Sequence, residues 1–298
     1  MQYWFKIYGP FEFLNGLVIW YNKPIEGTTD GVSGLFSNQN YTGLWLSIIW
    51  PFCVYFIKEN KLLKIKKVLL ILLGFSLIYL IFLTTSRASV LALIISMPII
   101  FSFKLILILI FVILFLLIIS NISLSFLSLK NYFVNQPIQL LIEKFTTLNI
   151  VDIQNSMRIK IWTNTLNFIY SKPIIGFGAG LFPIIYLTLN EDYNAQHSHN
   201  IILQIAFEYG IVASLVLSTF VFTLLFRSWL KIFINSKTYS RGQNSIEIFW
   251  FASTLVAVVS QLYDVTYFEG RVSILIWILL AGLKSIIDNN LQLSKRFL

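Results

Sequence analysis

An all-α protein that crosses a membrane several times is the fold class this sequence predicts, and three observations predict it. The 298 residues are 57% hydrophobic and 16% aromatic but only 12% charged, with a mean hydropathy of +0.78; charged residues make up about a quarter of soluble domains. The apolar residues gather in runs that approach the roughly 20 needed to cross a bilayer as a helix. The basic residues, which give a net charge of +9, fall in short clusters between those runs. That pattern argues for cytoplasmic loops facing anionic lipid and against a nucleic-acid partner.

About seven segments qualify as spans, at residues 41–57, 68–84, 88–103, 105–120, 201–226, 246–261 and 273–287. Lys58, Lys61, Lys64, Lys66 and Lys67 join the first two, and Arg227, Lys231, Lys237 and Arg241 join the fifth and sixth. Short basic loops stay in the cytoplasm. Counting outward, residues 38–40, Ser86-Arg87, the long segment 121–200 and the loop 262–271 share the opposite face, where nearly every unusual polar residue collects. The chain reads as one membrane domain, 1–298: an extracytoplasmic segment 1–40, four spans in 41–120, a long helical extracytoplasmic loop 121–200, three spans in 201–287 and a cytoplasmic tail 288–298. The first twenty residues, with Lys6, Glu12 and no small-residue cleavage site, do not read as a signal peptide. The single cysteine, Cys53, lies in an apolar run, so neither an intrachain disulfide nor a cysteine metal site is expected.

The polar residues on that face carry the chemistry. Arg87 follows Thr84, Thr85 and Ser86 at a span end; it reads as an interfacial anchor or as a guanidinium aimed at an anionic head group, whose oxygens its donor fork matches. Arg158 opens a helix after the possible caps Asn155 and Ser156, and it shares a face with Trp162, four residues on. A structural cation–π or ion-pair role and ligand binding both suit it. Lys172 to Gly180 forms a glycine-rich turn, with Gly176, Gly178 and Gly180, that lacks the strand–turn–helix context of a nucleotide fingerprint and is expected to pack back on the membrane helices.

Both histidines of the chain lie in His197-Ser198-His199-Asn200, where a polar loop enters an apolar helix. A neutral imidazole at the rim is suited to take a proton from a hydroxyl. Beyond it Asn200, Gln204 and Glu208 recur every fourth residue, a stripe that should face a cavity, with Glu208 too far along the helix to pair with His199 and assigned to supporting a neighbouring helix. His-x-His places its side chains on different helical faces, and no nearby cysteine or carboxylate cluster completes a metal site, so no metal is expected.

Together these segments resemble the O-antigen ligase and O-antigen polymerase superfamily of bacterial membrane glycosyltransferases. The resemblance runs from about Gly31 to the C-terminus, through Ser33 to Asn40, Ser86-Arg87, Arg158 to Trp162, Pro173 to Gly180 and His199-Asn200 with its spacing to Gly210. It implies a GT-C-like fold in the bacterial inner membrane with the site facing the periplasm. It also implies a glycan donor on a polyprenyl diphosphate, usually undecaprenyl diphosphate, and an acceptor hydroxyl on lipid A core or a growing glycan. His199 would be the general base of an inverting transfer that needs neither metal nor other cofactor, and Arg87 and Arg158 would hold the diphosphate. His197 is the weaker base, not being followed by Asn. Asn40, Trp162, the three turn glycines, Asn200, Gln204 and Glu208 would support the site. Departures are Gln39 for the usual proline before Asn40, Ala213 for the second glycine of the ligase motif, and an expected lack of several N-terminal spans. A polymerase of the same superfamily, a small-anion transporter and an inactive fragment are the competing readings.

Overall fold

The computed structural model describes residues 31–36, 38–58, 63–101, 157–189, 195–234 and 246–296. Every regular element among them is helical, and the chain divides into two compact units, Met1–Thr147 and Leu148–Leu298. The expected span at 105–120, the possible caps Asn155 and Ser156, and Lys61, Lys237 and Arg241 lie outside the described residues.

In the first unit, α1 (Gln39–Lys58) packs against α2 (Lys64–Leu83) and α3 (Arg87–Ile100). The first two have 20 residues each and are long and apolar enough to cross a membrane; α3, with 14, is shorter. One side of α2 leaves Val68, Leu69, Leu72 and Phe75 exposed, as a lipid-facing surface would. Because lipid is as apolar as these helices, their association rests on small side chains and hydroxyls. The Ser47 hydroxyl, for instance, donates to the carbonyls of Gly43 at 2.8 Å and Ser89 at 3.1 Å. Residues 31–36 fold back on the α2–α3 turn: the Val32 N–H donates to the Leu83 carbonyl at 3.0 Å, and the Thr42 hydroxyl to the Ser33 carbonyl.

In the second unit α4 (Met157–Ser171), α5 (Phe182–Leu189) and α6 (Ile201–Tyr209) enclose a core of Ile161, Ile169, Phe182, Tyr186 and Phe207. Phe207 stacks on Phe177 at 4.8 Å between centroids and meets Phe182 edge-on at 4.9 Å. The segment 201–226, expected as one span, is instead two helices: α6 stops and α7 (Ile211–Trp229) starts at Gly210, which has φ 88. Only glycine takes that backbone at little cost. The Ser214 hydroxyl then donates to the Ile202 carbonyl at 2.8 Å, holding α7 beside α6. With nine residues, α6 is only about 13.5 Å long and does not reach across a bilayer. The candidate span is α7 with its π-helical extension, Ile211–Ile234. Helix α8 (Ile246–Ser260) is shorter, and α9 (Gly270–Arg296) supplies a candidate span over Gly270–Asp288. Among the described residues, four helices are thus long and apolar enough to span.

Candidate functional site

The site of the second unit forms where the loop before α6 meets the loop between α8 and α9. Asn200 builds the first of these. Its side-chain oxygen caps α6 by accepting from the N–H groups of Ile202 at 2.9 Å and Leu203 at 3.2 Å, which are orphan donors of the first turn. Its amide nitrogen donates to the Leu262 carbonyl at 3.3 Å, and the Ile201 N–H to the Gln261 carbonyl at 2.9 Å. One asparagine thus starts the helix and ties it to the end of α8.

The preceding residue, His199, has φ 55, and Thr85 in the first unit has φ 53; they are the two non-glycine residues with positive φ among those described. Such backbone is uncommon outside glycine and gathers at functional sites. At His199 it turns the ring so that Nδ1 lies 3.0 Å from Oδ1 of Asp264. His197 lies beside it, ring centroids 4.3 Å apart, with Nε2 3.8 Å from the same carboxylate oxygen. The expectation that His-x-His would divide its side chains between faces, with no carboxylate near, is corrected here. The histidines lie in an irregular loop, and the carboxylate arrives from 65 positions later in the chain. Sequence reasoning put the loop 262–271 on the same side as the histidine loop, which it does meet, yet did not single out Asp264; its signal was an ionisable residue between two apolar runs.

Protonation states follow from the partners. Burial alone would raise the Asp264 carboxyl, but the hydrogen bond from His199 and the nearby His197, His199 and Arg158 hold it below its ordinary value. An ionised carboxylate only accepts, so His199 carries its proton on Nδ1 and leaves the Nε2 lone pair available. Burial, partly opposed by Asp264 and reinforced by His199 and Arg158, pushes His197 down to about 4. Its Nδ1 accepts from the His199 N–H at 3.3 Å, which puts its own proton on Nε2, toward Asp264. His197, His199 and Asp264 also have the donor set and the closeness, with ligand atoms within 4.8 Å of one another, to hold a divalent metal ion.

Arg158, second residue of α4 and half-buried, is near enough for its charge to act on both His197 and Asp264. One turn on, the Trp162 indole N–H donates to the Ser198 carbonyl at 2.9 Å, fastening α4 to the histidine loop. Gln204 and Glu208 are 1% and 4% exposed. Gln204 Oε1 accepts from the Ser198 N–H at 2.8 Å, and its amide donates to Glu208 Oε1 at 2.9 Å. That same oxygen accepts from the Gly180 N–H at 3.1 Å. The glycine-rich turn wraps the end of α6: the N–H groups of Phe177 and Gly178 donate to the carbonyls of Phe207 and Glu208, and a Cβ on Gly176 would meet the Glu208 backbone at 2.6 Å. Gly176, Gly178 and Gly180 all have positive φ.

Arg87 and Asn40 belong to the first unit. Arg87 is the exposed first residue of α3, directly after Ser86, whose side chain caps the helix by accepting from the Ser89 N–H at 3.4 Å. The Asn40 N–H donates to Asn38 Oδ1 at 2.8 Å in the first turn of α1, and the side-chain oxygen of Gln39 is buried without a hydrogen-bond partner.

No curated protein matches the chain. The model of the family described as O-Antigen ligase matches residues 68–218, just over half of the sequence, from the start of the second expected span through the histidine loop and into α7. With its all-helical architecture and several apolar spans, the chain belongs to the O-antigen ligase family.

Proposed function

We propose that this chain is a multi-pass, GT-C-like glycosyltransferase of the bacterial inner membrane with about seven spans. It moves a glycan from a polyprenyl diphosphate, usually undecaprenyl diphosphate, to an acceptor hydroxyl at the periplasmic face. The observation that carries the reading is the hydrogen bond between His199 and Asp264. Asp264 fixes the His199 tautomer, so Nε2 takes the proton as the acceptor oxygen bonds to the anomeric carbon. The bond from that carbon to the diphosphate breaks on the opposite side, giving inversion. Asp264 then stabilises the imidazolium, while Arg158, whose charge reaches both His197 and Asp264, takes the charge that grows on the leaving lipid diphosphate. A guanidinium supplies that compensation without a metal ion. Ligation to lipid A core and polymerisation of a growing glycan both present a hydroxyl, so the same groups serve either acceptor.

The test is glycan transfer in proteoliposomes from a polyprenyl-diphosphate-linked oligosaccharide. His199→Ala and Asp264→Asn should each lower kcat by roughly 10²- to 10⁴-fold with membrane insertion intact, the range of general acid–base catalysis. Arg158→Lys should retain little activity, because an ammonium does not reproduce a bidentate contact. Full turnover by His199→Ala would overturn the general-base assignment.

A further inference from the structure

A cavity of about 340 Å³ in the second unit carries chemistry that proton transfer leaves unused. Buried Gln204 and Glu208 line it together with four aromatic residues, Tyr209, Tyr267, Phe268 and Trp277. Three of those rings are about half exposed: Tyr209 51%, Phe268 51% and Trp277 45%. The Trp277 indole N–H donates to the Tyr267 hydroxyl at 3.1 Å, so what the indole offers a ligand is its face. Among the described residues both hydrogen bonds to Glu208 fall on Oε1, which leaves Oε2 to accept from whatever fills the space.

We propose that this cavity binds one sugar ring of the lipid-borne glycan, an inference that rests on the glycosyltransferase reading. A pyranose has an apolar C–H face and a rim of hydroxyl donors. Aromatic faces take the first and a buried carboxylate–amide pair takes the second; a few placed polar groups within an apolar lining, at this volume, are the make-up of a small-molecule site. A diphosphate does not suit the space, since among the described residues Glu208 is the one charged residue lining it. A bare hydrocarbon would cover Glu208 Oε2 without offering it a donor. Aromatic residues also gather at membrane interfaces, but a belt facing head groups does not enclose a buried Gln–Glu pair.

Two connections join the cavity to the base. Gln204 holds the backbone of Ser198, next to His199. Tyr267 and Phe268 follow Asp264 on one short loop, which Gln261 braces through the Tyr267 N–H at 3.2 Å and the Thr266 hydroxyl at 2.5 Å. An adjoining cavity of about 190 Å³, lined almost wholly by apolar side chains, shares Ile201, Ile205, Leu217, Tyr267 and Trp277 with it. That is the neighbourhood a sugar carried on a lipid requires.

The test is binding without turnover. Methyl glucoside, methyl galactoside and methyl N-acetylglucosaminide are presented to the full chain in nanodiscs, with saturation transfer to the ring protons read by NMR. Transfer to at least one glycoside is expected in the unaltered chain and equally in His199→Ala, several-fold less in Trp277→Ala, and partial recovery in Trp277→Phe. No transfer to any of the three, or transfer undiminished in Trp277→Ala, overturns the proposal. In the proteoliposome assay Trp277→Ala should raise KM roughly tenfold with kcat nearly unchanged. A rise confined to the donor is the result expected, and one confined to the acceptor overturns the assignment to the lipid-borne donor glycan. An unchanged KM for both, beside an inactive His199→Ala, removes the subsite and leaves the transfer reading standing.

Discussion

At the scale of single residues, the site is a problem in keeping protons where they are useful. His197 is the neutral neighbour: its ordinary value of 6.5 falls to about 4 in the folded chain. The unfolded chain therefore binds the extra proton first as pH drops, so the stability this residue contributes is full above about 6.5 and is lost as pH falls toward 4. The amount is on the order of 3 kcal/mol. Melting temperatures in detergent should decline between pH 6.5 and 4.5 for the unaltered chain, and His197→Gln should flatten that decline; an equal decline in both would show that His197 is not its source. His199 and Asn200 stood out in the sequence because they are neighbours along the chain, at the point where a polar loop enters an apolar helix. Asp264 did not, because a loop contact across 65 residues leaves no periodicity to read.

At the scale of elements, the junction of α6 and α7 sets the site's shape. Besides its φ of 88, Gly210 has no room for a side chain: a Cβ there would lie 1.9 Å from the Ile174 carbonyl oxygen. The next N–H, of Ile211, donates to the Pro173 carbonyl at 2.7 Å, so the turn before the glycine-rich stretch is pinned to the same point. Gly210→Ala should cost at least about 2 kcal/mol through backbone strain and the clash. It should lower the melting temperature by several degrees and reduce transfer more than stability alone explains, since α6 carries Gln204 and Glu208; a variant that melts like the unaltered chain would refute this account. Hydropathy read residues 201–226 as one span because an apolar run hides a single glycine. The break is written in backbone geometry, which apolar periodicity does not encode. Of the polar stripe Asn200, Gln204 and Glu208, the last two line a cavity as their spacing suggested, whereas Asn200 caps α6 and Glu208 bonds the glycine-rich turn rather than a neighbouring helix.

At the scale of the whole molecule, the membrane reading came from composition and the basic clusters, and four long apolar helices agree with it. The topology implied by those clusters is directly measurable. In a chain whose Cys53 is replaced by serine, Tyr263→Cys should react with an impermeant maleimide from outside intact spheroplasts. Lys66→Cys should react only after lysis, and the reverse pattern would invert the proposed orientation. Span number was less legible: α3 and α8, at 14 and 15 residues, are apolar but shorter than the roughly 20 residues that cross a bilayer as a straight helix. The short loop from Leu262 to Glu269 has a consequence for how such a protein diversifies. It holds Asp264 and, three and four positions later, Tyr267 and Phe268, so under the proposed mechanism an insertion or deletion there would alter proton transfer and sugar choice together. Redesign of specificity that spares the rate belongs at Tyr209 and Trp277, which stand on helices and vary independently of the base.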